Sequence, residues 1–541
     1  MINSSPAAQP SRDPLLLPSR VGRPNRRQVL GLGAALATAP VLASCRTAPA
    51  TPTGNASGGN GFVAPNYRPP EELPGSTGSK ITTFQVPFRS PPPKNNPWLV
   101  EFDKRLGVTL SQTLAPAASY SEKLQTVIAS GSIPDLTFVA SATAPGVARV
   151  LQQGAFTDLA GVLAGAGVDP YPNLARIRTT AWTNCAIKGK LYGIPREVAQ
   201  VNSSAVYRRD WAQDLGFTDP PKNADEFKEL LSGYGKGKHR GRGKGATWAI
   251  GTLYEGVTAV NQMFRVPNGW RLAADGTLTN ELETDEFEAA MKYLAELWQA
   301  GAFHPDAASL PTLQGEGMFK AGQLGMLVGS LIPLYGVMRA GLLTNDAKAD
   351  AAPILPPGHD GGDPVTYRGP GFAGFTGIPA KVGQDKDRLA ELLRVMDYWC
   401  APFGSQEYTF VNYGIEGRHF KFNAAGSPVQ ASSEVADTEV IGTNYLSQPS
   451  EAQLFFPGAQ DAGKLAQNSL AASLPLSIAD PTANLVSETD ARRSAELSQI
   501  SDDYQYGIIT GRRPFSDLQK WRDKWRTTAG DAIRTEFEAA L

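Results

Sequence analysis

At 541 residues the chain is about twice the length one hydrophobic core usually serves, so two lobes are expected. Its 51 basic and 52 acidic residues leave a formal charge of -1, which removes the electrostatic case for a nucleic-acid partner. Hydrophobic residues at 41% and charged residues at 19% describe a globular protein, and 55 Gly with 42 Pro call for many turns and long loops.

The first fifty residues read as an address. Arg12, Arg20 and Arg23 lie in a polar, Pro-rich stretch, followed by Arg26-Arg27 and then an apolar run from Val29 to Leu42. A basic flank, a short apolar run and small residues before a cut site describe a signal peptide, here residues 1–44. The run is too short and too rich in Gly and Ala for a good membrane span. Leu42-Ala43-Ser44-Cys45 resembles a bacterial lipobox, in which the Cys45 thiol takes a diacylglyceryl group and becomes the new N-terminus. That reading also explains the odd total of three cysteines. The Arg26-Arg27 pair resembles a twin-arginine export signal, the alternative being an ordinary charged flank. Residues 45–80, rich in Gly, Pro, Ser, Thr and Asn, read as a flexible tether.

Ile81-Thr82-Thr83-Phe84-Gln85-Val86 is β-branched and alternating, which predicts a first strand. Leu99–Leu106 predicts a helix that Gly107 stops, and Val108-Thr109-Leu110 a second strand. Leu124, Val127 and Ile128 at helical spacing predict a helix over 121–130, and Pro134–Val139 leads into a third strand. Strand and helix in alternation predict a parallel sheet with binding residues beyond its carboxyl ends. Farther on, helices are predicted at 225–231, 285–299, 387–399 and within 515–541. The run Lys236-Gly-Lys-His-Arg-Gly-Arg-Gly-Lys244 reads as a solvated loop, or as a contact for an anionic ligand.

Several phrases then carry a family resemblance. Tyr120-Ser-Glu-Lys-Leu-Gln125 runs on to Gly131-Ser-Ile-Pro-Asp135. Lys188-Gly-Lys-Leu-Tyr-Gly-Ile-Pro-Arg-Glu197 follows, then Tyr207-Arg-Arg-Asp-Trp211 with Leu215-Gly-Phe217 and Asn223-Ala-Asp-Glu-Phe227. After these come Glu296-Leu-Trp298 with Gly301, Pro305 and Asp306, and Met318-Phe-Lys-Ala-Gly-Gln-Leu-Gly-Met326. Two more, Tyr413-Gly-Ile-Glu-Gly-Arg-His-Phe420 and Ile508-Ile-Thr-Gly511 followed by Trp525 and Ala529-Gly530, belong to a long branch. In order and spacing, behind the lipobox, they resemble the extracellular solute-binding proteins of ABC importers, in the long lipoprotein branch whose ligands are mostly oligosaccharides and polysaccharide fragments.

The resemblance implies an α/β fold of the two-lobed, type II periplasmic-binding-protein kind, with a hinge and a ligand cleft between the lobes. It implies an N-terminal lobe of residues 81–195 and about 368–440, and a C-terminal lobe of 196–367 and about 441–541. The partners implied are an oligosaccharide or other small solute, and the permease subunits of an importer. A monomer on the outer face of the cell membrane is expected, with no cofactor.

A sugar cleft wants aromatic platforms rimmed by carboxylates, amides and guanidinium groups. The candidates are Trp270 in the Asn-Gly-Trp loop for stacking, and Tyr254 and Glu255 after an apparent strand. Glu197 lies just past the first crossing, Arg368 where the chain recrosses, Ser141 after the third strand, and Trp399 at a helix end. Each has a packing alternative. A secreted polysaccharide-degrading enzyme is a rival reading, but His239, His304, His359 and His419 have no metal-ligand spacing, and no nucleophile elbow or phosphate loop occurs. A lipid-anchored sensor or adhesin on the same fold is a second rival.

Overall fold

The computed structural model describes residues 73–86, 92–93, 95–116, 119–141, 147–187, 189–201, 204–329, 331–402, 405–423, 428–431, 433–440, 445–447, 460–483 and 485–541. The proposed leader, with Arg26, Arg27 and Cys45, and nearly all of the proposed tether lie outside them. Among the described residues fourteen strands are formed: β1 (Ser79–Gln85), β2 (Val108–Leu114), β3 (Leu136–Val139), β4 (Ile194–Glu197), β5 (Ser204–Arg208), β6 (Trp270–Leu272), β7 (Leu278–Asn280), β8 (Met326–Gly329), β9 (Ala351–Ile354), β10 (Thr366–Arg368), β11 (Phe372–Gly377), β12 (Phe420–Phe422), β13 (Pro428–Gln430) and β14 (Ser477–Ala479).

Five of them form one sheet in the order β2-β1-β3-β11-β4. β1 runs parallel to β2 and β3, whereas β11 is antiparallel to both β3 and β4. Local signals set the first elements. Asn96 Oδ1 accepts from the Trp98 and Leu99 amides, Pro97 opens the helix, and Gly107 closes it at φ 76°, donating to Asp103 O. This left-handed φ favours glycine. The helix Pro97–Leu106 buries Trp98, Phe102 and Leu106, four residues apart, each side chain contributing roughly 1.5–3 kcal/mol. Asp135 accepts from the Thr82 amide and hydroxyl at 2.8 and 2.9 Å and pairs with Arg388, so it ties the entry of β3 to β1.

A second sheet has the order β8-β5-β9, with β5 antiparallel to both neighbours. Alternate residues of β5 face different cores. Ala205 and Tyr207 join a large cluster that includes the helix Asp285–Gln299 and the helices after Ser487. Val206 joins a smaller one with Phe319, Tyr335 and Ala466. The core of the first sheet draws on residues from 81 to 194 and from 372 to 446. The large second core draws on 205 to 354 and 485 to 537. The chain therefore changes core between 194 and 205, between 354 and 372, and after 446. Among the described residues no helix is long and apolar enough to cross a membrane.

Candidate ligand cleft

The strand registers show which sheet ends meet. β4 leaves the first sheet at Glu197, opposite Phe372, where β11 enters. The carboxyl ends of β1 and β3, at Gln85 and Val139, lie toward the same edge. β5 enters the second sheet at Ser204, opposite Gly329, and β9 leaves at Ile354. The two sheets thus turn the Glu197 end of one toward the Ser204 end of the other, and the crossing segments join them.

The crossings are tied to one another. β10 and β14 form a two-stranded parallel sheet, and Val201 bridges to Arg368. Asn268 Nδ2 donates to Arg368 O at 3.3 Å and to Ile478 O at 3.2 Å, so one amide holds both crossing strands. Arg368 is exposed, and its guanidinium donates to Ser477 Oγ and Ser477 O at 2.9 and 3.2 Å. It stands on β10 and grips the neighbouring strand β14.

Glu197 is buried and pairs with Arg178, whose Nη2 also donates to Val198 O. Its charge is therefore engaged by the protein, and Arg178, not singled out from sequence, is the more exposed partner at 34%. Ser141 is half-buried two residues past β3. Tyr254 is 53% exposed. It lies in the first turn of the helix Leu253–Met263, whose N-terminus is pinned to the cleft end of β8 by the bond from the Val328 amide to Glu255 Oε1.

Three candidates are corrected. Glu255 is 2% exposed and completes a capping box, with Oε2 accepting from the Thr252 amide and hydroxyl. Burial pushes its carboxyl up to about 7, against the lowering effect of these donors. Its work is to fix the helix beneath Tyr254. The strand expected before it is reduced to isolated bridges, Trp248 to Leu324 and Ile250 to Phe303. Trp270 opens β6 and is 2% exposed, its ring 5.8 Å from Trp525 and 5.9 Å from Phe537, so it packs the core and offers no sugar platform. Trp399 is 1% exposed, edge-on to Phe102 at 4.8 Å, also in a core.

Sequence reasoning missed a stack at the end of β4. The half-buried Arg196 guanidinium lies 3.9 Å over the Tyr445 ring, which meets Phe138 edge-on at 4.9 Å. The Tyr445 amide donates to Gln85 Oε1. Burial lowers the Arg196 pKa, opposed by Tyr445. Arg196 lies in the segment Lys188–Glu197, but nothing local announces a partner some 250 positions away. The phrase Tyr413–Phe420 is structural: buried His419 accepts the Ile415 amide at Nδ1 and meets Glu439 at Nε2, 2.8 Å away. Cys185 and Cys400 are buried free thiols.

Two α/β lobes joined by crossing segments, with an aromatic ring, amides and guanidinium groups where they meet, define a two-lobed binding protein of the periplasmic type. The chain belongs to the bacterial extracellular solute-binding protein family, whose model matches residues 98–413. It is similar to the polygalacturonan/rhamnogalacturonan-binding protein YtcQ of Bacillus subtilis, 24% identical over 524 residues that span 96% of this chain and 99% of that protein. Lipoprotein LipO of Bacillus subtilis is 22% identical, covering 85% of this chain and 92% of LipO. Among solved structures, the fold is shared with alginate-binding protein AlgQ2 (TM-score 0.62, 15% identity, 86% of this chain and 99% of that one). It is also shared with the N-glycan transport solute-binding protein NgtS of Streptococcus pneumoniae (TM-score 0.60, 15% identity, 85% and 98%).

Proposed function

We propose that this protein captures an oligosaccharide by lobe closure and hands it to the permease of an ABC importer, without covalent chemistry. The observation that carries the reading is the pair of lobes joined by crossing segments, with Tyr254 half-exposed on a helix start pinned to the Gly329 end of β8, and Arg178, Arg196 and Arg368 at or beside the crossings. A ring stacks on the apolar face of a sugar, and guanidinium groups fork hydroxyls or carboxylates. The names of YtcQ and AlgQ2 put oligomers of uronic acids first in order of testing.

The test is a thermal-shift panel of oligogalacturonides, alginate oligomers, neutral oligosaccharides and peptides. A saturating sugar raises the melting temperature, because it binds the folded state alone. Tyr254→Ala should then weaken binding by roughly 1–3 kcal/mol. A shift with peptides and none with any sugar would overturn the ligand class and leave the fold intact.

The same reading has the protein exported through the Arg26-Arg27 signal and held at the outer face of the membrane by lipid on Cys45. Cys45→Ala should move the protein from the membrane fraction to the medium. Undiminished membrane retention of this variant would end the anchoring proposal.

A further inference from the structure

The helix Leu253–Met263 has more to offer a ligand than Tyr254. Trp248 bridges in parallel to Leu324, and the Met326 amide donates to Ala249 O at 2.8 Å. The segment before the helix therefore runs in the direction of β8. It delivers the helix to the Gly329 end of that strand, which is the Ser204 end of β5. At the other end of the helix the Val365 amide donates to Gln262 O at 3.0 Å, and the Tyr367 hydroxyl donates to Val266 O at 3.1 Å. Val365 leads directly into the crossing strand β10. The helix thus spans from the end of β8 to a crossing.

Its two sides differ. Leu253, Gly256, Ala259, Val260 and Met263 are buried, and Gly256 lies so close to Phe303 that a Cβ there would stand 2.4 Å from the ring. Tyr254, Val257, Thr258 and Asn261, three and four residues apart, share the other side. Val257 and Thr258 are half-buried. The Thr258 hydroxyl donates to Tyr254 O at 2.9 Å, which leaves its oxygen able to accept. Asn261 is 6% exposed, yet its side-chain amide finds no partner among the described residues. Oδ1 is fully enclosed and Nδ2 is not, so Nδ2 is the atom open to a ligand. An asparagine that holds the fold shows its bonds, as Asn268 does with two carbonyls of the crossings. Asn261 shows none, and a buried amide left unpaired costs free energy that a ligand oxygen recovers.

We propose that this side of the helix is a track for two adjoining sugar residues. The Tyr254 ring stacks on one, Asn261 Nδ2 donates to an oxygen of the next, and Thr258 accepts a hydroxyl between them. Seven residues of helix separate Tyr254 from Asn261, about 10.5 Å along the axis. Two linked pyranose rings span that distance and one ring does not. Resting on the oligosaccharide reading above, the track adds a lower limit to ligand length, and Asn261 is the residue that sets it.

Galacturonic acid, mannuronic acid and glucose, each as monomer, dimer and trimer, are titrated calorimetrically into the purified protein at constant ionic strength. In a series that binds, the dimer should bind roughly tenfold more tightly than the monomer. Asn261→Leu keeps a branched side chain and deletes the amide, and Asn261→Ala deletes it without added bulk. Each should weaken the dimer roughly threefold to tenfold and leave the monomer unaltered. The melting temperature of Asn261→Leu without sugar should be equal or higher, because the lost amide had no partner in the protein. That readout separates a lost contact from a damaged fold. Equal affinity for monomer and dimer, or a dimer affinity that neither Asn261 variant changes, overturns the track and leaves oligosaccharide capture standing. Binding of no sugar in any of the three series overturns both.

Discussion

Trp270 shows what a single residue's neighbours in sequence leave out. Asn268 and Gly269 mark a turn, and a tryptophan in a turn is a fair stacking candidate. Its environment is instead made by Trp525 and Phe537, near the far end of the chain. Trp270→Ala should therefore cost about 3–5 kcal/mol of unfolding free energy, as large-to-small changes of buried aromatics do. Denaturant unfolding measures this, and the ligand affinity of the protein that remains folded should be unaltered. A variant as stable as the unsubstituted protein but weaker in binding would return Trp270 to the cleft. Tyr254, by contrast, is half-exposed in the first turn of its helix. Glu197 ends β4 where the chain leaves the first sheet, and it is buried against Arg178, which no spacing rule connects to it.

At the scale of elements, those with local punctuation were readable and those without it were not. The helix Asp285–Gln299 was read to the residue, because Thr284 caps it and its apolar stripe has helical period. The three-residue strands β10 and β14 exist only because each supplies the other's hydrogen bonds, so no pattern announces them. The helix Leu253–Met263 carries its own test. Burial raises the Glu255 carboxyl from 4.5 to about 7, and that of Asp397, which accepts from the Asn173 and Leu174 amides, from 3.8 to about 7. A carboxyl whose folded pKa is the higher keeps its proton in the fold after the unfolded chain has lost it. Between about pH 4.5 and 7 the folded state therefore binds more protons, and stability from these groups falls as pH rises through that window. Glu255 contributes at most roughly 3 kcal/mol of that fall. Glu255→Gln, which does not titrate, should make the decline shallower when unfolding free energy is measured across the same window. An identical slope would mean that Glu255 is ionised throughout.

For the whole molecule, the parallel sheet was foreseeable from the alternation of strand and helix, but the antiparallel insertion of β11 between β3 and β4 was not. That strand returns from beyond the second core and fits between two strands laid down long before it. The insertion matters for function, because it makes β4 and β11 a pair of adjacent exits from one sheet, at Glu197 and Phe372. Motion of one sheet relative to the other must pass through these exits and the segment after Leu446. Among the described residues, the bonds that join the crossings, from Asn268 Nδ2 and from Arg368 to Ser477, are partly exposed, whereas each core is a continuous cluster of buried apolar side chains. Bending at the crossings therefore breaks much less than deforming either lobe, which is the condition for a hinge. A bound sugar that touches Tyr254 on one side and the Arg196 end of β4 on the other gains its second set of contacts only when the lobes approach. Differential affinity for the closed form then shifts the population toward it. Small-angle scattering with a saturating ligand from the panel should show a smaller radius of gyration than without it, alongside the rise in melting temperature. A rise in melting temperature with unchanged dimensions would mean that the ligand is held by one lobe alone, and the closure mechanism would have to be abandoned.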